Sequence, residues 1–293
     1  MQVVFINGYG RSGSTILEAV LATRGEVFPV GELRNIWLRG VLGYKCSCNS
    51  KILDCEFWKE VLSHVSGDEG IERFFYKMEA VRSKYDRIRY FCKIRSLIDL
   101  PDDLVWYINV YERIYQEVSR ITGKKVILDS SKNPTHAAIL SKSNKIDVKN
   151  IHLVRHPRAV VYSWSRKKER KESPNFEYMP IHQFYKSSAL WVAMNYQAEM
   201  IGGNNLRVRY EDFIGDPEKT ITKVLEFIGE KYAGTGHPVK FHTIGGNPVK
   251  FDKEFTDIKP DVAWRKRQSK VDAVLTWAMT FWMAKRYGYS YDG

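Results

Sequence analysis

Val3-Val4-Phe5-Ile6-Asn7 runs directly into Gly8-Tyr9-Gly10-Arg11-Ser12-Gly13-Ser14-Thr15, and apolar Ile16, Leu17, Val20 and Leu21 follow at helical spacing up to Gly25, which is placed to end the helix. The order strand, glycine-rich turn, helix gives the turn its meaning. Its glycines keep the spacing of GxxxxGK[ST], in which backbone N–H groups wrap a phosphate, a lysine reaches the terminal phosphates and a hydroxyl holds magnesium. Ser14 stands where the lysine belongs, so the anion cradle is kept while the usual arrangement for γ-phosphoryl transfer is lost. Arg11 supplies a cation inside the turn.

The same grammar recurs downstream. Lys125–Asp129 is a buried-strand candidate followed by Ser130-Ser131-Lys132-Asn133-Pro134, where Asn133 caps a helix that Pro134 starts. Asn150–Val154 leads into Arg155-His156-Pro157 and a helix to about Arg166. Leu206–Arg209 leads into Tyr210-Glu211-Asp212-Phe213 and a helix from Pro217 to Gly229, and Val27–Val30 reads as a short strand before Gly31-Glu32-Leu33. Strands alternating with helices predict an α/β fold with a central parallel sheet flanked by helices on both faces. Ligands gather at the carboxyl ends of such strands, so Arg11, Lys132 and Arg155 are expected to converge on one crevice.

Residues 56–123 read as mostly helical, with a break at Pro101-Asp102-Asp103. The charged segment 166–180 reads as a solvated connection, and 242–261 as a loop before the last helix. Trp191, Trp264, Trp277 and Trp282 read as packing residues, and His156 as a helix-entry residue rather than a base.

Composition bounds the function. Of 293 residues, 44% are hydrophobic and 27% charged, ordinary for a globular protein, and 46 Lys+Arg against 34 Asp+Glu give a net charge of +12, which favours anionic ligands. The longest apolar run, Ala273–Ala284, is shorter than the roughly 18 residues of a membrane span, and the start of the chain has no leader-like pattern; a cytoplasmic protein is expected. Cys46, Cys48 and Cys55 form C-x-C-x6-C, but no fourth ligand lies at finger-like spacing, so reduced structural thiols and no metal are expected. From the residues alone three classes stay open: an enzyme using a phosphate-like donor, a kinase-like enzyme without its lysine, and a nucleotide- or nucleic-acid-binding module, although the aromatic-plus-basic patterns of RNA readers are missing.

Taken together these segments resemble the sulfotransferases that use 3′-phosphoadenosine 5′-phosphosulfate (PAPS). Gly10-Arg11-Ser12-Gly13-Ser14-Thr15 resembles the family's 5′-phosphosulfate loop, Arg155 with Ser163 its 3′-phosphate motif, and Tyr210-Glu211-Asp212 its Tyr-Glu-Asp segment, whose tyrosine lies by the adenine. Asp129–Pro134 and His242–Pro248 resemble segments of the bacterial and carbohydrate-acting branches. The chain departs from the phenol-acting branch: Ile16 follows the loop where that branch has an aromatic, and Lys132-Asn133-Pro134 lacks its histidine base. Glu32 stands where carbohydrate-acting members take a glutamate base.

The resemblance implies a P-loop NTPase-like fold in one domain over residues 1–293, with a helical substrate-side insertion at about 56–123 and a C-terminal loop and helix at about 242–290. It implies PAPS as donor, PAP as product, a hydroxyl-bearing acceptor such as a carbohydrate or small metabolite, and neither metal nor nucleic acid; it sets no oligomeric state. Gly10 to Thr15, Arg155, Ser163, Tyr210, Gly246 and Asn247 are then the donor-binding residues, and Glu32, Lys132 and Arg11 the catalytic ones.

Overall fold

The computed structural model describes residues 1–67, 70–232, 241–246 and 260–293. Its first half runs β1 (Gln2–Asn7), α1 (Ser14–Arg24), β2 (Val27–Gly31), α2 (Ile36–Val41), α3 (Glu56–Ser63), α4 (Ile71–Tyr85), α5 (Phe91–Ser96), α6 (Asp102–Thr122) and β3 (Val126–Asp129). Its second runs α7 (Pro134–Leu140), β4 (Asp147–Val154), α8 (Pro157–Ser165), α9 (Phe184–Met200), β5 (Asn205–Arg209), α10 (Tyr210–Gly215), α11 (Pro217–Ile228), α12 (Ala263–Arg267) and α13 (Lys270–Arg286).

The five strands form one sheet in the order β2-β3-β1-β4-β5, every neighbouring pair parallel. Buried strands this apolar require cover on both faces. Alternation of side chains supplies it: Val3, Phe5 and Ile127 pack into one core together with residues of α2 to α7, while Val4, Ile6, Leu128 and Ile151 pack into a second with α1 and α11. A third cluster ties Tyr9 and Val154 to Trp191 of α9 and Met283 of α13.

Local chemistry sets the helix ends. The Asn133 side chain accepts hydrogen bonds from the Thr135 and His136 amides ahead of α7. The Pro101 break is a helix start, with Asp102 and Asp103 in the first turn of α6, where negative charge favours the positive helix end. Tyr210–Phe213, directly after β5, opens the short helix α10, and β4 begins three residues earlier than its apolar run because Asp147 pairs with Gln2. Trp191 and Trp264 are buried as expected, whereas Trp282 is 47% exposed on the outer face of α13. No helix among the described residues is long and apolar enough to cross a membrane.

The order in which strands are added reverses at β1, whose neighbours β3 and β4 lie on opposite sides. The crevice at such a switch point opens at the carboxyl ends of the strands. There the chain presents the 8–13 turn after β1, Glu32 after β2, Ser130–Lys132 after β3, Arg155 after β4 and Tyr210 after β5.

Candidate active site

Gly10, Arg11, Gly13, Ser14, Thr15, Glu32, Lys132, Arg155, Ser163, Tyr210 and Gly246 line one cleft of about 270 Å³. Of the residues expected there, Ser12 is turned inward, its hydroxyl donating to the Tyr9 carbonyl at 2.7 Å to brace the turn. Asn247 lies outside the described residues.

The turn is shaped by close approach. Gly13 has φ 91°, and a Cβ there would sit 2.5 Å from Cδ2 of Tyr210; a Cβ on Gly10 would sit 3.0 Å from Trp164. Trp164 Nε1–H donates to the Gly10 carbonyl at 3.1 Å, so the aromatic that crowds the loop also pins it. Gly13 caps α1 without a side-chain acceptor, and the first amides of an α-helix lack intrahelical partners. The helix start is therefore a site for an anion.

Arg11 and Lys132 both hold left-handed backbone, at φ 73° and 56°, a conformation that costs about 1–3 kcal/mol for a residue with a Cβ. The strain aims two cations at one space. The Lys132 ammonium lies 2.5 Å from Glu32 Oε1, while Glu32 Oε2 accepts from Asn35 Nδ2 at 2.9 Å and Arg39 Nη2 at 3.4 Å. The Arg11 guanidinium lies 4.9 Å from the Trp164 ring centre, and burial, reinforced by Arg170, pulls its pKa down although Glu32 and Glu172 oppose this.

Arg155 is 5% exposed at the end of β4, its guanidinium 4.3 Å from the centre of the Tyr210 ring. Its Nη1 donates to the Arg11 carbonyl at 3.2 Å and its Nη2 to Asp261 Oδ2 at 3.1 Å, while its buried Nε has no hydrogen-bond partner among the described residues. A buried arginine with a donor to spare and one exposed carboxylate partner is suited to a further anion.

The segment 166–180 is more than the solvated connection expected of it. A bridge between Glu169 and Tyr178 folds it back, and Lys168, Arg170, Met179 and Pro180 wall the cleft. Burial and the nearby Arg11 and Arg166 lower the Lys168 pKa. Among the described residues, six cationic side chains thus face the cleft against the carboxylates of Glu32 and Asp261, a balance that suits a ligand carrying several negative charges. His156 is no base: its ring is stacked 4.6 Å from Trp264, its Nε2 lies 2.8 Å from the Ser290 carbonyl, and burial pushes its pKa down to about 4.

Glu18, inside α1, was not legible as a site residue. It is buried, accepts from the Gly31 amide at 2.8 Å and from Ser130 Oγ at 2.9 Å, and so ties α1 to the turns that carry Glu32 and Lys132. A glutamate on the buried side of a helix that starts at an anion cradle is the one signal that could have marked it. Arg39 and Asp261 were missed as well, since neither follows a strand.

Comparison with known proteins agrees with this geometry. The sulfotransferase family profile matches residues 3–234. The mouse protein carbohydrate sulfotransferase 2 is 30% identical over a match covering 31% of this chain and 24% of its own, and its human counterpart is 29% identical over the same shares, so the match spans about a quarter of the length of these relatives. The sulfotransferase domain from the curacin biosynthetic pathway superposes with a TM-score of 0.51 at 16% identity, covering 99% of this chain and 98% of that one, and shares its P-loop NTPase-like fold. With its profile match over more than three quarters of the sequence and its anion cradle at the head of α1, the chain belongs to the sulfotransferase family.

Proposed function

We propose that the protein transfers the sulfuryl group of PAPS to an acceptor hydroxyl, with Glu32 as general base. The observation that carries this is the convergence of Arg11, Lys132 and Arg155 on the cleft around the 10–15 turn, with Glu32 beside Lys132. The residues fit such a donor: the glycines leave a cradle that side chains would fill, and Arg155 keeps a buried donor without a partner among the described residues.

Bound PAPS supplies an activated sulfuryl group, whose S–O bond to phosphate breaks as a new O–S bond forms to the acceptor oxygen. Glu32 takes the acceptor's proton as the hydroxyl attacks, and its carboxylate is oriented by Lys132 at Oε1 and by Asn35 and Arg39 at Oε2. Lys132 turns from Glu32 towards the departing oxygen and, with Arg11 and the first amides of α1, holds the charge that develops on the leaving phosphate. Arg155, with Ser163 beside it, holds the 3′-phosphate, a group that ATP lacks, and so selects the nucleotide. Tyr210 flanks the adenine, and Gly246 adds its backbone to the wall of the donor cleft.

A hydroxyl on a carbohydrate or a small metabolite is the acceptor, supported by the carbohydrate sulfotransferase relatives and by a glutamate rather than a histidine at the base position. The helices between residues 56 and 123 form the acceptor side of a single domain. A cytoplasmic setting, no metal in the chemical step and no nucleic-acid partner belong to the same proposal. The test is transfer of radiolabel from [35S]PAPS to a panel of sugars, lipids, phenols and peptides. Labelled product and stoichiometric PAP support the proposal; PAPS consumption with no acceptor labelled in any class contradicts it.

A further inference from the structure

Away from the cleft, Cys46, Cys48 and Cys55 meet His242, a residue 187 positions beyond Cys55 in the sequence. The sequence offered no fourth ligand near the cysteines, and the fold supplies one from the far end of the chain. That removes the ground for expecting plain structural thiols.

The three sulfurs and His242 Nδ1 all lie within 4.8 Å of one another. Nδ1 is 3.2 Å from Cys55 Sγ and 4.0 Å from Cys46 Sγ, and Cys48 Sγ is 3.6 Å from Cys55 Sγ. Ligands around tetrahedral zinc, with Zn–S near 2.3 Å and Zn–N near 2.0 Å, stand roughly 3.5–3.8 Å apart. The observed separations bracket that range. The set is also chemically selective, because thiolates with one imidazole suit zinc, whereas magnesium and calcium take oxygen.

The scaffold holds each ligand in place. Lys45 and Lys51 pair across a tight turn in which the Cys46 amide donates to the Ser50 carbonyl at 2.9 Å and Asn49 takes φ 73°. This puts Cys46 and Cys48 on one knuckle. The His242 ring is stacked 4.9 Å from Phe57, and its carbonyl accepts from Trp58 Nε1 at 2.8 Å, so the α3 residues next to Cys55 orient the fourth ligand. Ser47 accepts from the Thr243 amide at 2.8 Å and donates to the Phe241 carbonyl at 2.6 Å, lashing the two segments together around the cluster.

The geometry points to a Cys3His zinc site formed by Cys46, Cys48, Cys55 and His242. Four protein ligands close the coordination sphere, so the ion is structural. Its effect reaches the cleft through the backbone: two residues beyond His242, the Ile244 amide donates to the Val30 carbonyl at 2.9 Å, and the Ile244 carbonyl accepts from the Glu32 amide at 2.6 Å. Zinc at this point fastens the strip that ends in Gly245 and Gly246 and steadies the backbone of Glu32.

Elemental analysis of the purified full chain tests this without recourse to turnover. About one zinc per chain is expected, retained in Cys92→Ser, whose thiol is exposed and outside the cluster, and lost from Cys55→Ser and His242→Ala. Should those variants fail to fold, the wild type still decides: mercurial titration of its thiols should release one zinc, and cobalt substitution should give a thiolate-to-cobalt charge-transfer band with tetrahedral d–d absorption. Wild-type protein without bound metal, iron in place of zinc, or zinc retained in both cluster variants would overturn the assignment.

Discussion

Glu18→Gln isolates a buried charge. Glu18 is 5% exposed, and burial, only partly offset by Ser130, Lys132 and the Gly31 amide, pushes its carboxyl up to about 7 from an ordinary 4.5. A carboxyl raised on folding contributes its full stability below the unfolded value and loses it as pH climbs through the folded one. At about 1.4 kcal/mol per pH unit of difference, the loss across that window is at most about 3.5 kcal/mol. Glutamine carries no charge yet keeps both contacts, since its carbonyl can accept from the Gly31 amide and its amide can donate to Ser130 Oγ. Urea unfolding of both proteins at pH 5 and pH 8 is the assay. The stability of Glu18→Gln relative to wild type should rise by about 2–3 kcal/mol between those values. A relative stability that stays constant with pH refutes a buried, pKa-shifted Glu18.

Other expectations concern the cleft itself. Gly13→Ala should destabilise the protein by about 1–3 kcal/mol in thermal or chemical unfolding and weaken PAP binding, because the added methyl meets the Tyr210 ring at a positive φ. Glu32→Gln should lower kcat about 10²–10⁴-fold while the Kd for PAP, read by calorimetry, changes little, as befits a base that acts on the acceptor. Lys168 has a pKa lowered by burial and neighbouring cations, and a bound polyanion raises it again. Binding therefore takes up protons, and PAP affinity should fall as pH rises through the pKa of the free protein; Lys168→Met should flatten that decline in a calorimetric pH series.

What could be read from the sequence follows from where each instruction is written. The 8–15 turn, the Asn133-Pro134 helix start and the strand-end positions of Lys132 and Arg155 are local patterns, and backbone chemistry enforces them locally. The sheet followed because its strands are apolar runs too short for anything else. Lys168 and Arg170 were illegible because a charged segment looks the same whether it faces solvent or a cleft; only the fold-back at Glu169 and Tyr178 decides. Glu18 looked like any helix glutamate until Gly31 and Ser130 closed over it. His242 beside the cysteines depends on a contact across most of the chain, which no spacing rule contains.

The claim on which the donor assignment rests is that Arg155 receives a 3′-phosphate. Calorimetric titration of wild type and Arg155→Ala with PAP and with 5′-AMP, which differ by that phosphate alone, tests it most directly. Wild type should bind PAP at least about 30-fold more tightly than 5′-AMP, the worth of about 2 kcal/mol from a charge-assisted pair, and in Arg155→Ala the gap should collapse. Equal affinities in wild type, or a preference for PAP undiminished in Arg155→Ala, would contradict it.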